Sequence, residues 1–353
     1  MSKGLPADFW LGPDRIVLAP MEGVVDAVMR DLLTRIGGID LCVTEFIRVT
    51  DRLLPDSEYQ KYCPELFNGE GCQTRVGVPM LVQFLGGQPG PMAENAARAA
   101  DLGAAGIDLN FGCPAKTVNR HDGGASILKD PCRIHDIVSA VRAAVPMHIP
   151  VSAKVRLGFS DKSQHVEIAK SAESGGAAWL TVHARTRDEG YRPPAHWEFI
   201  GRMREAVKMT VICNGEIWSE EDYNRAREVS GCRHAMIGRG LMSSPDLARK
   251  IKGLAPLAKW SEVIPWVIEF GEMSRTYRHD LYAVCRVKQW LKSLSRRFPE
   301  ASPLFEKIKT LQELNPMLEI CRESLLTDPV TDPVIGQSLT KSNYFNIESS
   351  LPA

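Results

Sequence analysis

Apolar and polar residues alternate over short runs that recur through the first two-thirds of the chain. Eight runs read as strands: IVLAP (16–20), LCVTEF (41–46), MLVQFLG (80–86), GIDLNFGC (106–113), VSAKVRLG (151–158), WLTVHAR (179–185), VICNGEI (211–217) and HAMIGRG (234–240). Between them, segments such as 92–106 and 165–178 carry apolar residues at helical spacing and run into glycine. Strand then helix, eight times over about 240 residues, predicts an α/β fold, a (β/α)8 barrel. A doubly wound open sheet would call for a G-x-G-x-x-G turn after the first strand, and none follows Pro20.

Strand parity adds detail. Val151, Ala153, Val155 and Leu157 share one face of their strand, and Ser152, Lys154 and Arg156 the other. Helices cover the outside of a barrel, so the apolar face is expected outside. Gln83, Asn110, Lys154, His183 and Asn214 then point inward near the C-terminal strand ends, where barrel sites are built. One such residue alone would be read as a polar cap on the core. Five at matching depth predict a site.

The strand pattern stops near residue 255. Residues 1–255 are expected to form the barrel, 256–328 a small all-helical domain, and 329–353 a loosely held tail with little apolar periodicity. Residues 51–79 form a connection long enough to suggest function.

Composition narrows the setting. Lys plus Arg equals Asp plus Glu at 43 each, so net charge favours neither nucleic acid nor membrane. No apolar run approaches the roughly 20 residues of a membrane helix. Nine cysteines, an odd count without a C-x-x-C pair, argue against a disulfide framework or a structural metal. The expectation is a soluble, cytoplasmic monomer without metal.

The rim residues suit a phosphorylated planar ring. CNGEI (213–217) and IGRG (237–240) follow strands seven and eight, where barrels usually hold phosphate. Backbone N–H groups around Gly215 and Gly238, with Arg239, would make the anion site. Gln83 offers an amide to a ring edge, Lys154 a positive charge beside a flavin's N1/O2 edge, and His183 a reach to the ribityl or phosphate end. Ala19, Pro20 and Met21 would form an apolar floor. FMN is the expected cofactor.

With those residues in view, APMEGVVDAVMR (19–30), DLNFGCPAKTVNRHDGGA (108–125), KVRLG (154–158), VHARTRDEGY (182–191), NGEI (214–217) and IGRG (237–240) together resemble the tRNA-dihydrouridine synthase family over residues 16–325. CVTEFIRV (42–49), NGEIW (214–218) and RVKQWL (286–291) are most similar to the branch acting on the D-loop uridine at position 16. Residues 1–14 and those beyond about 328 fall outside the resemblance and read as additions. The resemblance implies reduction of the uracil C5=C6 bond, with NADPH recharging FMN and Asn214, Gly215, Glu216, Gly238 and Arg239 in the cofactor site. Hydride arrives at C6, and a thiol, ordinarily protonated at neutral pH, can protonate C5 from the opposite face. Cys113 is the expected donor, with Asn110 touching ring or substrate.

A base in folded RNA must leave its stack to react, so tRNA needs a phosphate-reading surface. Residues 275–297 hold seven Lys/Arg and one acidic residue, Asp280. Val284, Val287, Leu291 and Leu294 form a packing stripe; Lys288, Lys292 and Arg296 form a separate basic stripe. The resemblance adds Arg286, Lys288 and Arg48 as RNA contacts. Tyr191 would meet the substrate base, and Arg156 and Arg185 a phosphate at the mouth. Three rival readings remain at this point. One is a small-molecule pyrimidine or dihydroorotate-type flavoenzyme, another a flavin-free isomerase or aldolase using Lys154, the third a non-catalytic RNA-binding barrel.

Overall fold

The computed structural model describes residues 4–6, 8–69, 71–115 and 123–326. The expected tail at 329–353 and part of the motif, residues 116–122, lie outside the described residues.

Each of the eight runs contributes a parallel strand, and a two-residue strand is added after the second. They are β1 (Ile16–Leu18), β2 (Leu41–Val43), β3 (Ile47–Arg48), β4 (Met80–Leu85), β5 (Ile107–Asn110), β6 (Val151–Arg156), β7 (Trp179–His183), β8 (Thr210–Asn214) and β9 (His234–Ile237). The order β2-β1-β9-β8-β7-β6-β5-β4 closes on itself through Cys42 beside Met80 and Val43 beside Leu81. The short β3 lies beside the end of β4. Closure removes every free edge from the eight-stranded cylinder.

Around it lie α1 (Ala27–Ile36), α2 (Asp56–Tyr62), α3 (Pro89–Asp101), α4 (Pro131–Ala144), α5 (His165–Ser174), α6 (Trp197–Glu205), α7 (Glu220–Ser230), α8 (Arg239–Ser243) and α9 (Leu247–Ile251). Asp26 caps α1 by accepting from the Met29 N–H at 2.9 Å, satisfying one of that helix's orphan donors. The long 51–79 connection is ordered by α2 and by the Tyr59 hydroxyl, which donates to Asn95 Oδ1 at 2.7 Å.

The inward face changes character with depth. At the N-terminal end it is apolar, with Val17, Leu41, Leu81, Trp179 and Ile212 in one cluster that reaches up to Met236 on the cavity wall. Leu5 and Phe9 complete that cluster, Trp10 packs against it, and the Trp10 ring lies 5.1 Å from that of Trp179. Residues expected to be an addition therefore plug the floor of the barrel; the reason is the apolar interior at that depth. The plug is tied by His234, whose Nδ1 accepts from the Arg15 N–H at 3.0 Å while Nε2 faces the Trp10 carbonyl at 3.1 Å. Both bonds are met together only by the neutral ring. Burial holds this histidine below its ordinary pKa. Stability is then full above the unfolded value of about 6.5 and falls as pH drops through the folded one. A His234→Gln variant is expected to flatten that acid loss of the denaturation midpoint; an unchanged slope would remove His234 as its source.

The C-terminal region is helical: α10 (Trp260–Tyr277), α11 (Asp280–Leu294), α12 (Ala301–Ile308) and α13 (Leu314–Leu326). The third anticipated helical segment divides at Lys309, and the chain re-enters a helix at Leu314. Pro316 sits in that helix's first turn, where its missing N–H leaves no bond unmade. Val284, Val287, Leu291 and Leu294 are buried as the spacing implies, and their cluster is continuous with the core around the barrel. Trp290 donates to the Met242 carbonyl at 3.1 Å and fastens α11 to the barrel.

Candidate active site

A cavity of about 680 Å³ opens at the C-terminal strand ends, within the range of roughly 300–1,000 Å³ typical of ligand pockets. Cys113 lines it, together with Ala19, Pro20, Met21, Gln83, Asn110, Lys154, His183, Asn214, Gly215, Glu216, Gly238 and Arg239. Glu22, Phe46, Arg156, Tyr191 and Trp218 complete much of the wall.

Register explains the gathering. Gln83 lies beside Asp108, Asn110 beside Lys154, and His183 beside Asn214, so equal parity brings polar tips to one level. Asp108 accepts from Gln83 Nε2 at 2.6 Å and from Ser152 Oγ at 2.6 Å. Gln83 Oε1 in turn accepts from Asn110 Nδ2 at 2.9 Å. Burial raises the Asp108 pKa, and the two hydrogen bonds oppose that shift. Asp108 and Ser152 shared the inward parity, but sequence reasoning gave them no role; here they fix the amides of Gln83 and Asn110.

Asn110 Oδ1 accepts from the N–H groups of Gly112 (2.9 Å) and Cys113 (3.0 Å). The Cys113 carbonyl accepts from Ala125 N–H at 3.1 Å, and Arg156 Nε donates to the Gly112 carbonyl at 2.8 Å. The thiol is thus held at the cavity rim by its own backbone. Burial pushes its pKa up, against a hydrogen bond from the Ala115 backbone, so the proton stays on sulfur at neutral pH. The Lys154 side chain makes no hydrogen bond or ion pair among the described residues; burial, then Arg156, push its pKa down to about 8. Burial, with Arg156, Lys154 and other cations around it, keeps His183 neutral.

The far end is cationic. Glu216 adopts φ of +59°, and its carboxylate accepts from Arg185 and from Trp218 Nε1 at 2.9 Å, with Arg239 at 3.8 Å. Burial would raise this carboxyl, but those bonds hold it below its usual range. A stack of alternating cations and rings runs along the rim. Arg296 lies 3.7 Å from the Trp218 ring, Arg239 lies 4.9 Å from the rings of both Trp218 and Tyr191, and Arg156 lies 5.2 Å from Tyr191. Trp218 and Glu22 carried no periodic signal that would have marked them. Two of the glycines answer to packing: a Cβ on Gly240 would sit 2.1 Å from the Ile217 carbonyl oxygen, and one on Gly215, at φ +116°, 2.8 Å from the His183 ring.

Several expected RNA contacts are placed differently. Arg185 is fully buried and held by Glu216 and the Arg192 carbonyl, so it does not reach a phosphate at the mouth. Arg156 lines the cavity, but its guanidinium donates to the carbonyls of Gly112, Thr186 and Gly190. Arg286 is 5% exposed and faces inward; it pairs with Asp26 at 3.2 Å and donates to the carbonyls of Gly23 (2.7 Å) and Val24 (2.5 Å). Its neighbours on α11 press it against the loop after β1, a docking the helical period alone cannot reveal. Lys288 donates to the Leu311 carbonyl at 2.5 Å. Lys292 and Arg48 are exposed outside the cavity wall, and Tyr191 is 54% exposed on it.

Polar side chains converging on the C-terminal strand ends of a closed parallel barrel are the arrangement of a barrel enzyme. A family model described as dihydrouridine synthase (Dus) matches residues 17–323. A tRNA-dihydrouridine(16) synthase of Aquipseudomonas alcaligenes is 52% identical over 304 residues, covering 85% of this chain and 96% of the relative. Proteins of the same name from Pseudomonas putida (52% over 301 residues; 84% and 92%) and Shewanella oneidensis (48% over 314 residues; 88% and 99%) are similar as well. The chain belongs to the dihydrouridine synthase family. No helix among the described residues is long and apolar enough to cross a membrane.

Proposed function

We propose that this protein is an FMN-dependent tRNA-dihydrouridine synthase that reduces the C5=C6 bond of a D-loop uridine, at position 16, with NADPH as reductant. The observation that carries the reading is the Cys113 thiol on the same cavity as a half-buried ammonium without an ion pair among the described residues, Lys154, and the cationic end at Arg239. FMN fits the donor set: the Lys154 ammonium forms no ion pair among the described residues, Asp108 acting on it only from beyond salt-bridge distance, and Arg239 is only loosely engaged by Glu216. Lys154, Asn110, Gln83 and His183 would hold the ring and its chain, Asn214, Gly215, Gly238 and Arg239 the phosphate, with Ala19, Pro20 and Met21 beneath. The chemistry a flavin would supply there, when bound, is hydride for uracil C6.

The chain's own residues supply the rest. Cys113 delivers its proton to C5, and the Asn110 bonds keep the thiol aimed into the cavity. Lys154 favours negative charge beside it, and the neutral His183 is available as a hydrogen-bonding group. The position rests on the names of the relatives and on the branch resemblance. The test is direct: the purified protein should be yellow with a flavin spectrum, and with NADPH it should place dihydrouridine at position 16 of tRNA lacking it. Dihydrouridine elsewhere would remove the position; reduction of free pyrimidines alone, with tRNA untouched, would remove the substrate.

A further inference from the structure

We propose that Arg278, at the turn between α10 and α11, takes a phosphodiester of the bound tRNA outside the cavity; the proposal rests on the tRNA reading above. The Arg278 guanidinium lies 4.9 Å from the Tyr282 ring and 5.5 Å from the Tyr277 ring. It is exposed and forms no ion pair with a carboxylate among the described residues. Other arginines of this chain that serve the fold are held by carboxylates, as Arg30 by Glu65 at 3.0 Å and Arg297 by Asp246 at 2.6 Å, or by backbone carbonyls, as Arg156 is. The nearest acidic candidate in sequence, Asp280, is engaged by Arg275 at 3.3 Å.

Both rings are anchored to the barrel. The Tyr277 hydroxyl donates to the Lys61 carbonyl at 3.3 Å, and the Tyr282 hydroxyl donates to Asp26. Asp26 follows Val24, a cavity-wall residue, by two positions, so the platform stands one loop away from the mouth. A guanidinium stacked on fixed rings loses little freedom on binding and presents an N–H fork, matched to two phosphate oxygens. RNA bearing a nucleotide in the cavity must pass its backbone over adjacent protein surface. A protein partner would offer carboxylates, and that alternative is separated by the salt response below.

The test uses the flavin-loaded protein and compares wild type, Arg278→Gln and Arg278→Lys for tRNA binding across a salt series. Arg278→Gln should weaken binding several-fold at low salt. It should also reduce the steepness of log K against log salt by about 0.7–0.9, the share of one phosphate contact. Arg278→Lys should keep the slope and lose part of the affinity, since it retains the charge without the fork. Flavin content and melting temperature should not move in either variant. An unchanged slope in Arg278→Gln overturns the proposal whatever the affinity does. If wild type forms dihydrouridine but the slope is unmoved, only this docking site falls; if wild type forms none, the tRNA reading falls with it.

Discussion

Cys113→Ala is expected to slow dihydrouridine formation by about 10²–10⁴-fold, the usual contribution of a placed acid. Flavin content and flavin reduction by NADPH should be unchanged, because the turn itself is held by backbone bonds that alanine keeps, Asn110 to the 112–113 amides and Ala125 to the 113 carbonyl, and only the Ala115 N–H loses its bond to sulfur. Cys113→Ser should also be slow, since a hydroxyl is a far weaker acid than a thiol. Burial raises the thiol's pKa, so the wild-type rate should hold through neutral pH and decline only above the ordinary thiol range, as the donor loses its proton. Single-turnover reaction of pre-reduced enzyme with tRNA isolates the step. A wild-type rate in Cys113→Ala would sink the assignment.

Arg286→Ala is expected to lower stability by about 3–5 kcal/mol, as breaking a buried ion pair from one side typically does. The two side chains are only 6% and 9% exposed, so solvent relieves little of the loss. Asp26 would remain beside Tyr282 without its cation, and the carbonyls of Gly23 and Val24 would lose their donor. Those carbonyls belong to the loop that carries Met21, Glu22 and Val24 into the cavity wall, so flavin retention should fall as well. A solvent-facing RNA contact would leave both properties alone. Adding Asp26→Asn, which keeps an N-cap oxygen for α1, should recover part of the stability by removing the stranded charge. Chemical denaturation with flavin release measures both; a variant that melts like wild type and keeps its flavin would refute the clamp.

The barrel was legible because a strand's period of two is a local property: it marks which residues share a face, and the same parity brings Gln83, Asn110, Lys154, His183 and Asn214 to one cavity. The stripe Val284, Val287, Leu291 and Leu294 was legible for the analogous helical reason. What sequence could not carry was the width of the buried face. Helix α11 lies against both barrel and neighbouring helices, so Arg286, next to Val287, is buried and Lys288 is half-buried. The floor plug escaped for a different reason. Phe9 and Trp10 sit in an irregular segment with no period, and their packing is decided by the apolar well they fill. The second half of Cys113's support, Asp108 and Ser152 behind Gln83 and Asn110, needed contacts between strands rather than alternation within one.

Helix α11 touches the loop after β1 through Arg286 and Gln289, and Arg296, just past its end, rests on Trp218 after β8. One rod thus braces two neighbouring stretches of the same bowl's rim, since only β9 separates β1 from β8. Exchanging C-terminal halves among relatives would therefore reshape the bowl itself unless residues 20–26 and 216–218 travel with the graft. Hybrids that respect this triple unit should retain their colour, and those cut near residue 255 alone should bleach.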